Sequence, residues 1–249
     1  MSGIDKNSIR ERVREDLLGV AIPNAFFHLD LDSFIPDFFG SEVAIERVIW
    51  SPEYRNAQVI FITPDDCLRE LRERALRDGK IILVTSYGIR RGFFLLTEGI
   101  VLGNFKYAST LEGMEKVGVP VSLSEIVELG YQIDLLVTGA GAVCLNGLRI
   151  GKGHGFFDLE WAILMELKLV TVDTPVFCVV HDCQVVQDEI EGDEFDTACD
   201  VIFTPTRGIP VHLPNKPTLG IDWSRITDVT VQEIPCLNEL KILQTKGGD

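Results

Sequence analysis

Apolar and polar positions follow two rhythms along this chain. Between Lys6 and Leu18, Ile9, Val13 and Leu17 recur every four residues while Arg10 and Arg14 stack on another face, which predicts an amphipathic helix. Pro23 and Asn24 break that pattern. "AQVIFI" (57–62) is apolar throughout, as a strand covered on both faces would be. "PDDCLRELRERALRDGK" (64–80) returns to the helical rhythm, with Leu68, Leu71, Ala75 and Leu76 on one face and Gly79 in the stop position. "IILVTS" (81–86) reads as the next buried strand and completes a strand–helix–strand unit.

The alternation continues. "SLSEIVELG" (122–130) predicts a helix whose Ser122 and Glu125 form a capping box. "IDLLVTG" (133–139), "PVFCVVHD" (175–182) and "CDVIFTP" (199–205) predict further buried strands. "FFDLEWAILMELKLV" (156–170) predicts a helix with Phe157, Trp161, Leu164 and Lys168 on one face. Phe93 to Leu96 reads as a short strand or a pocket wall. Linkers, repeats and low-complexity blocks are absent. The expectation is one α/β domain over residues 1–243, a three-layer fold with a mostly parallel sheet and helices on both faces. Residues 244–249, "QTKGGD", are expected to be a disordered tail.

Composition narrows the class. The 249 residues are 46% hydrophobic and 24% charged, as in an ordinary globular protein. No apolar run reaches the ~20 residues of a membrane span, and the N-terminus is charged where a signal peptide would be apolar. A soluble, cytoplasmic protein with no membrane partner is expected. A net charge of −15 argues against nucleic acid as a partner. Basic residues nevertheless cluster at 6–14, 69–80, 90–91 and 149–152, and such clusters focus positive potential for a small anionic ligand. Six cysteines without a CxxC pair and four histidines without metalloenzyme spacing carry no zinc signature.

The densest chemistry lies in "RIGKGHGFFD" (149–158), where Gly151, Gly153 and Gly155 alternate with Lys152 and His154. Glycines let backbone N–H groups approach an anion closely. The helix expected from Phe157 offers free N–H groups and a positive dipole end. Arg149 and Lys152 add formal charge, so a polyphosphate suits the run better than a lone carboxylate. The run is expected between strand 133–138 and that helix, beyond the carboxyl end of the strand, where open α/β sheets bind ligands. It matches neither the dinucleotide-binding nor the P-loop spacing, and a tight turn with solvated cations is the competing reading. Asp158 reads either as a carboxylate stabilising a helix N-terminus or as an oxygen ligand for Mg²⁺.

The ten residues resemble the R-[LI]-G-x-G-x-G-[YF]-[YF]-D signature of the 5-formyltetrahydrofolate cyclo-ligase family. The resemblance extends in register through "KNSIR" (6–10), "RALRDGKIILV" (74–84) and "IDLLVTGAGAV" (133–143), with Thr138 where the family usually has proline. It implies a fold of the ribose-isomerase and CoA-transferase-like type. It also implies ATP- and Mg²⁺-dependent conversion of 5-formyltetrahydrofolate to 5,10-methenyltetrahydrofolate. By this resemblance Lys6 and Arg10 meet the ATP phosphates from the first helix. Arg149, Lys152, His154 and the backbone of Gly151, Gly153 and Gly155 cradle the same phosphates. Asp158 serves Mg²⁺, and Arg149, Lys152 and Asp158 carry catalysis by neutralising charge. Asp65, Phe156 and Phe157 lie beside the folate.

The departures fall on the folate side. Asp65 in "DDCL" (65–68) stands where the family has a folate-contacting glutamate, the two aromatic positions lack phenolic hydroxyls, and Val143 and Cys144 occupy a turn that usually carries an acid. The chain thus resembles a divergent, cyclo-ligase-like branch. Three functions follow: the family reaction, an ATP-using reaction on another small substrate such as a thiamine-related one, or nucleotide binding without turnover. His181, Asp182 and Gln184 read as a second pocket wall or as solvated strand-end residues. Arg90 and Arg91 read as a carboxylate site or a surface pair.

Overall fold

Alternate side chains of the buried strands feed two separate cores, and this sets the layering. In the computed structural model, which describes residues 6–246 apart from 189 and 191, Val59 and Phe61 enter one apolar cluster while Ile60 and Ile62 enter another. Strands apolar on both faces need helices on both.

In chain order the strands are β1 (Ala21–Ile22), β2 (Asp37–Phe38), β3 (Val59–Ile62), β4 (Ile81–Thr85), β5 (Phe93–Leu96), β6 (Val119–Val121) and β7 (Leu135–Thr138). They continue with β8 (Ala142–Cys144), β9 (Arg149–Ile150), β10 (Val176–Val179), β11 (Val185–Val186), β12 (Val201–Phe203) and β13 (Gly208–Pro210). An eight-stranded sheet has the order β13-β12-β10-β7-β3-β4-β5-β6. Its middle, from β12 to β4, is parallel, and β13, β5 and β6 join antiparallel at the edges. A three-stranded sheet, β11-β8-β9, stands apart from it, and β1 pairs with β2.

The helices are α1 (Lys6–Leu18), α2 (Ser41–Trp50), α3 (Pro52–Asn56), α4 (Arg69–Arg77), α5 (Glu98–Val101), α6 (Phe105–Ala108), α7 (Leu111–Val117), α8 (Leu123–Glu128), α9 (Phe156–Glu166), α10 (Asp228–Glu233) and α11 (Cys236–Lys246). One face of the large sheet is covered by α2, α4 and α7 through Ile45, Leu71 and Met114. The other is covered by α8, α9 and α11 through Ile126, Trp161 and Leu237. This is the expected three-layer α/β arrangement. Helix α1 packs elsewhere: Ile9 and Val13 share a small cluster with Ala142, Cys144, Ile150, Val186 and Ile190 of the three-stranded sheet and its surroundings.

Local signals work as expected at several points. Ser122 and Glu125 form both bonds of the capping box, and Gly79 (φ 72°) follows α4. Five of the six cysteines are buried, and Cys183 is half-buried. Three boundaries differ. The helix expected over 64–80 begins as a 3₁₀ turn at Asp66–Leu68 before α4. Helix α9 stops at Glu166, so Lys168 is exposed beyond it with φ 58° and does not share the Phe157 face. Residues 244–246, expected in a disordered tail, form the end of α11. There Gln244 accepts from Trp223 Nε1 at 3.0 Å and donates to Glu166 at 2.6 Å. Residues 247–249 lie outside the described residues.

Candidate functional site

Three parallel strands end at one cavity of about 480 Å³. The segments after β3 (Thr63 to Asp65), β4 (Tyr87 and Gly88) and β7 (Thr138 and Gly139) form its floor. The glycine run, the start of α9, Asp196 and the first turns of α1 form its rim. This is the carboxyl end of a parallel sheet, the ordinary ligand position in such folds. Lys6, Arg10, Asp65 and the run Arg149–Asp158 line this one space together.

The run lies between β7 and α9, as expected from the sequence, but not immediately after β7. The β8–β9 hairpin intervenes, and the run follows β9 of the small sheet. Gly153 (φ 98°) and Gly155 (φ 63°) occupy the left-handed region, where a side chain is strained. Gly155 is the N-cap of α9, so the first N–H groups of that helix open at the rim. Arg10 Nε donates to the Gly151 carbonyl at 2.9 Å, tying α1 to the run. Lys6 Nζ pairs with Asp196 at 2.8 Å. His154 is exposed, with its ring 5.3 Å from that of Phe156.

Arg149 is more structural than its position in the run suggests. Its side chain is 6% exposed and donates from Nη2 to Asp158 Oδ1 at 3.0 Å. Nε and Nη2 also reach the Thr197 carbonyl at 3.2 and 3.1 Å, and the guanidinium lies 4.0 Å from the Phe157 ring centroid. Asp158 Oδ1 accepts from Thr197 N at 2.9 Å as well. The Arg149–Asp158 pair is therefore a strut joining β9, α9 and the segment before β12. Among the described residues, Asp158 Oδ2 makes no hydrogen bond, and no group of three or more His, Cys, Asp or Glu is arranged to hold a metal.

Lys152 turns toward the aromatic side. Its Nζ donates to the Tyr87 hydroxyl and lies 4.1 Å from the Tyr87 ring centroid and 5.8 Å from that of Phe156. Burial pushes its pKa down, and the carboxylates of Asp65 and Glu160 oppose that. Tyr87 in turn donates to the Ser33 carbonyl. Thus a phenol does stand in the site, although positions 156 and 157 have none; it comes from the turn after β4.

The floor is acidic. Asp65, 7% exposed, accepts through Oδ2 from Thr63 Oγ1 at 2.6 Å and from Gly139 N at 2.9 Å. Its turn is clamped from beneath by the buried Arg72, which donates to the carbonyls of Thr63, Asp65 and Ser109 at 2.7, 3.0 and 2.9 Å. Glu160, on the second turn of α9, accepts from Thr85 Oγ1 and is 3% exposed. Burial pushes its pKa up to about 8, against the Thr85 bond and the charges of Arg149 and Lys152, so it is largely protonated at neutral pH. Glu160 stands three residues after Phe157 and four before Leu164. An acid inside an apolar stripe is the sequence signal that marks it. Tyr87 carries no such signal.

Two other candidate groups fall away from the cavity. His181 Nδ1 accepts from Cys183 N at 3.2 Å, and Gln184 donates to the Ala140 and Gly141 carbonyls at 2.6 and 3.2 Å. Asp182 accepts from Thr204 at 2.7 Å and Thr206 at 2.5 Å. These bonds shape the segment after β10, and none of the three residues lines the cavity. Arg91 pairs with Glu115, and the exposed Arg90 does not line the cavity either.

Comparisons with known proteins show the family of the chain. A family model described as the 5-formyltetrahydrofolate cyclo-ligase family matches residues 3–205. The chain is 32% identical over 250 residues to a human methenyltetrahydrofolate synthase domain-containing protein, covering 99% of this chain and 64% of that protein. It thus spans somewhat less than two thirds of that relative. A 5-formyltetrahydrofolate cyclo-ligase from Mycolicibacterium smegmatis is 33% identical over 78 residues, covering 31% of this chain and 37% of that one. The solved 5,10-methenyltetrahydrofolate synthetase of Aquifex aeolicus superposes with a TM-score of 0.49 at 17% identity, over 89% of this chain and 99% of that one. No helix among the described residues is long and apolar enough to cross a membrane.

Proposed function

Because the chain belongs to the 5-formyltetrahydrofolate cyclo-ligase family, we propose that the cavity carries out an ATP-dependent cyclo-ligase reaction on a reduced folate. The observation that carries this reading is the convergence of α1 and the glycine run, joined through Arg10 and the Gly151 carbonyl, at the opened N-terminus of α9. A triphosphate would lie along Gly151 to Gly155, with Lys6 and Arg10 on one side and the α9 N–H groups on the other. Mg²⁺ usually keeps several waters and needs only one or two carboxylates beside phosphates. The free Oδ2 of Asp158 fits that requirement, and the ion would supply charge neutralisation. Arg149 would act mainly by fixing Asp158 and the start of α9.

The folate would lie against Phe156 and Tyr87, over Asp65 and Glu160. In this reading the formyl oxygen takes the γ-phosphoryl group of ATP and releases ADP, and the exocyclic N10 then attacks the resulting imidoyl phosphate, losing its proton and expelling phosphate. The chain provides no nucleophile; it positions the two partners and balances charge. Lys152, held beside Tyr87 and Phe156, would sit at the junction of the two ligands. Formation of methenyltetrahydrofolate, followed by absorbance with Mg²⁺-ATP and 5-formyltetrahydrofolate, is the direct test. ATP-dependent turnover is expected, reduced by about 100-fold or more in Lys152→Ala.

A second reading is favoured by the altered folate side, Asp65 and the two phenylalanines. It keeps the phosphate half and gives the floor to another small heterocycle. A flat absorbance trace with intact Mg²⁺-ATP binding would select it.

A further inference from the structure

Glu160 is the buried acid of this cavity that the proposed reaction leaves without a task. It lies on the apolar stripe of α9 between Phe157 and Leu164, where a leucine would complete the packing. A carboxyl group removed from water is costly unless it has a partner. One oxygen has one: Oε1 accepts from Thr85 Oγ1 at the end of β4. For Oε2 no hydrogen bond is made among the described residues, and it is not one of their sealed, unpaired atoms. It is therefore reached from the cavity that Glu160 lines.

The neighbouring polar groups do not close this gap, because none of them is hydrogen-bonded to Oε2 among the described residues. Lys152 Nζ is bound to Tyr87, Asp65 Oδ2 to Thr63 and Gly139, and Arg149 Nη2 to Asp158 and Thr197. The rings of Tyr87 and Phe156 line the same cavity. Phe156 approaches the turn that carries Tyr87, with its Cζ 3.4 Å from where a Cβ on Gly88 would lie. Two aromatic rings and an unpaired, buried carboxyl oxygen lining one cavity suit a flat, nitrogen-bearing ring.

We propose that Glu160 is a specificity-determining residue, whose Oε2 accepts a hydrogen bond from a ring or exocyclic N–H of the heterocycle bound against Tyr87 and Phe156. The assignment rests on the reading of this cavity as the substrate site. Oε2 accepts there as a carboxylate oxygen, or as the carbonyl oxygen of the neutral acid when the proton sits on Oε1 and is donated to Thr85 Oγ1; a glutamine offers the same acceptor with its amide N–H turned to Thr85. A heterocycle without the N–H would leave a buried acceptor unpaired, which is how such sites reject near-isosteres.

The test compares wild-type protein, Glu160→Gln and Glu160→Leu. Calorimetric titrations use 5-formyltetrahydrofolate as the probe in the presence of Mg²⁺ and a non-hydrolysable ATP analogue. The analogue is also titrated alone, and thermal melts check folding. The expected result is a loss of folate affinity by about tenfold or more in Glu160→Leu, with rescue to within about threefold in Glu160→Gln. Nucleotide affinity should be unchanged in both, and in turnover the change should fall on KM and leave kcat nearly constant. Equal folate affinity in wild type and Glu160→Leu would overturn the role of Glu160 while leaving the cavity assignment standing. A parallel loss of folate and nucleotide affinity would show a general structural role and overturn it as well. If wild type itself binds no folate, the folate reading falls and takes the Glu160 assignment with it, and the nucleotide titration then reports separately on the phosphate half.

Discussion

The rim of the cavity is held by cations with acidic or carbonyl partners, whereas the floor is held by carboxyl groups with neutral partners. At the rim, Lys6 meets Asp196 at 2.8 Å, Arg149 meets Asp158 at 3.0 Å and Arg10 meets the Gly151 carbonyl at 2.9 Å. On the floor, Asp65 is bound by Thr63 and Gly139, and Glu160 by Thr85. Half-exposed ion pairs are worth little, so an incoming anion can share or displace the Lys6 partner at small cost. Carboxyl oxygens in a dry floor are more demanding, because an unmatched group loses its hydration without replacement. The rim is suited to capture and the floor to discrimination.

The largest expected effect tests whether the rim is uniform. Arg149→Ala leaves Asp158 and the Thr197 carbonyl without their buried partner and should cost about 3 kcal/mol in denaturant unfolding. A loss below about 1 kcal/mol would place this pair with the surface ones. Next comes the glycine run itself. Gly153 has φ 98°, and a Cβ there would lie 3.7 Å from Arg10 Nη2, whereas a Cβ on Gly151 meets nothing within 4 Å. Gly153→Ala should therefore cost about 1–2 kcal/mol and Gly151→Ala about 0.5 kcal/mol or less. Equal costs would mean that backbone conformation is not what the run requires.

The floor has its own signature in pH. The pKa of Glu160 is raised from 4.5 to about 8 in the folded protein, so the folded state holds the proton more tightly than the unfolded chain. Its contribution is full below about 4.5 and is lost as pH rises through about 8. Wild type should lose thermal stability relative to Glu160→Gln across that window, and parallel curves would break the contrast. The smallest effect belongs to Lys6→Ala. It should change stability by about 0.5 kcal/mol or less while weakening Mg²⁺-ATP binding severalfold, read by titration.

Much of the scaffold was legible because its signals are local. The buried strands, the capping box at Ser122 and Glu125, and the apolar faces of α1 and α4 are set by residues a few positions apart. Helix α9 ran too long in the sequence because its end is a left-handed Lys168, with Leu169 N bonded to the Leu164 carbonyl, where glycine is the usual marker. The β8–β9 hairpin did carry a signal, Asn146-Gly147, but its strands are only three and two residues long. The rim could be read because most of it is one contiguous segment. Of the floor only Asp65 was named, through the family resemblance, since Tyr87 and Glu160 join it only once the order β7-β3-β4 is known. The direction taken by Lys152 has the same origin, because its partner Tyr87 is 65 residues away in the chain.

Helix α1 rests on a small apolar cluster with the three-stranded sheet, outside the two main cores. Opening it need not disturb β3 or β7, so its amides should exchange with deuterium by a local event of lower free energy than global unfolding. Arg10 and Gly151 are 141 positions apart, and their bond couples that event to the glycine run. A nucleotide seated between them would slow exchange in both segments together, giving a readout of occupancy that needs neither turnover nor knowledge of the second substrate.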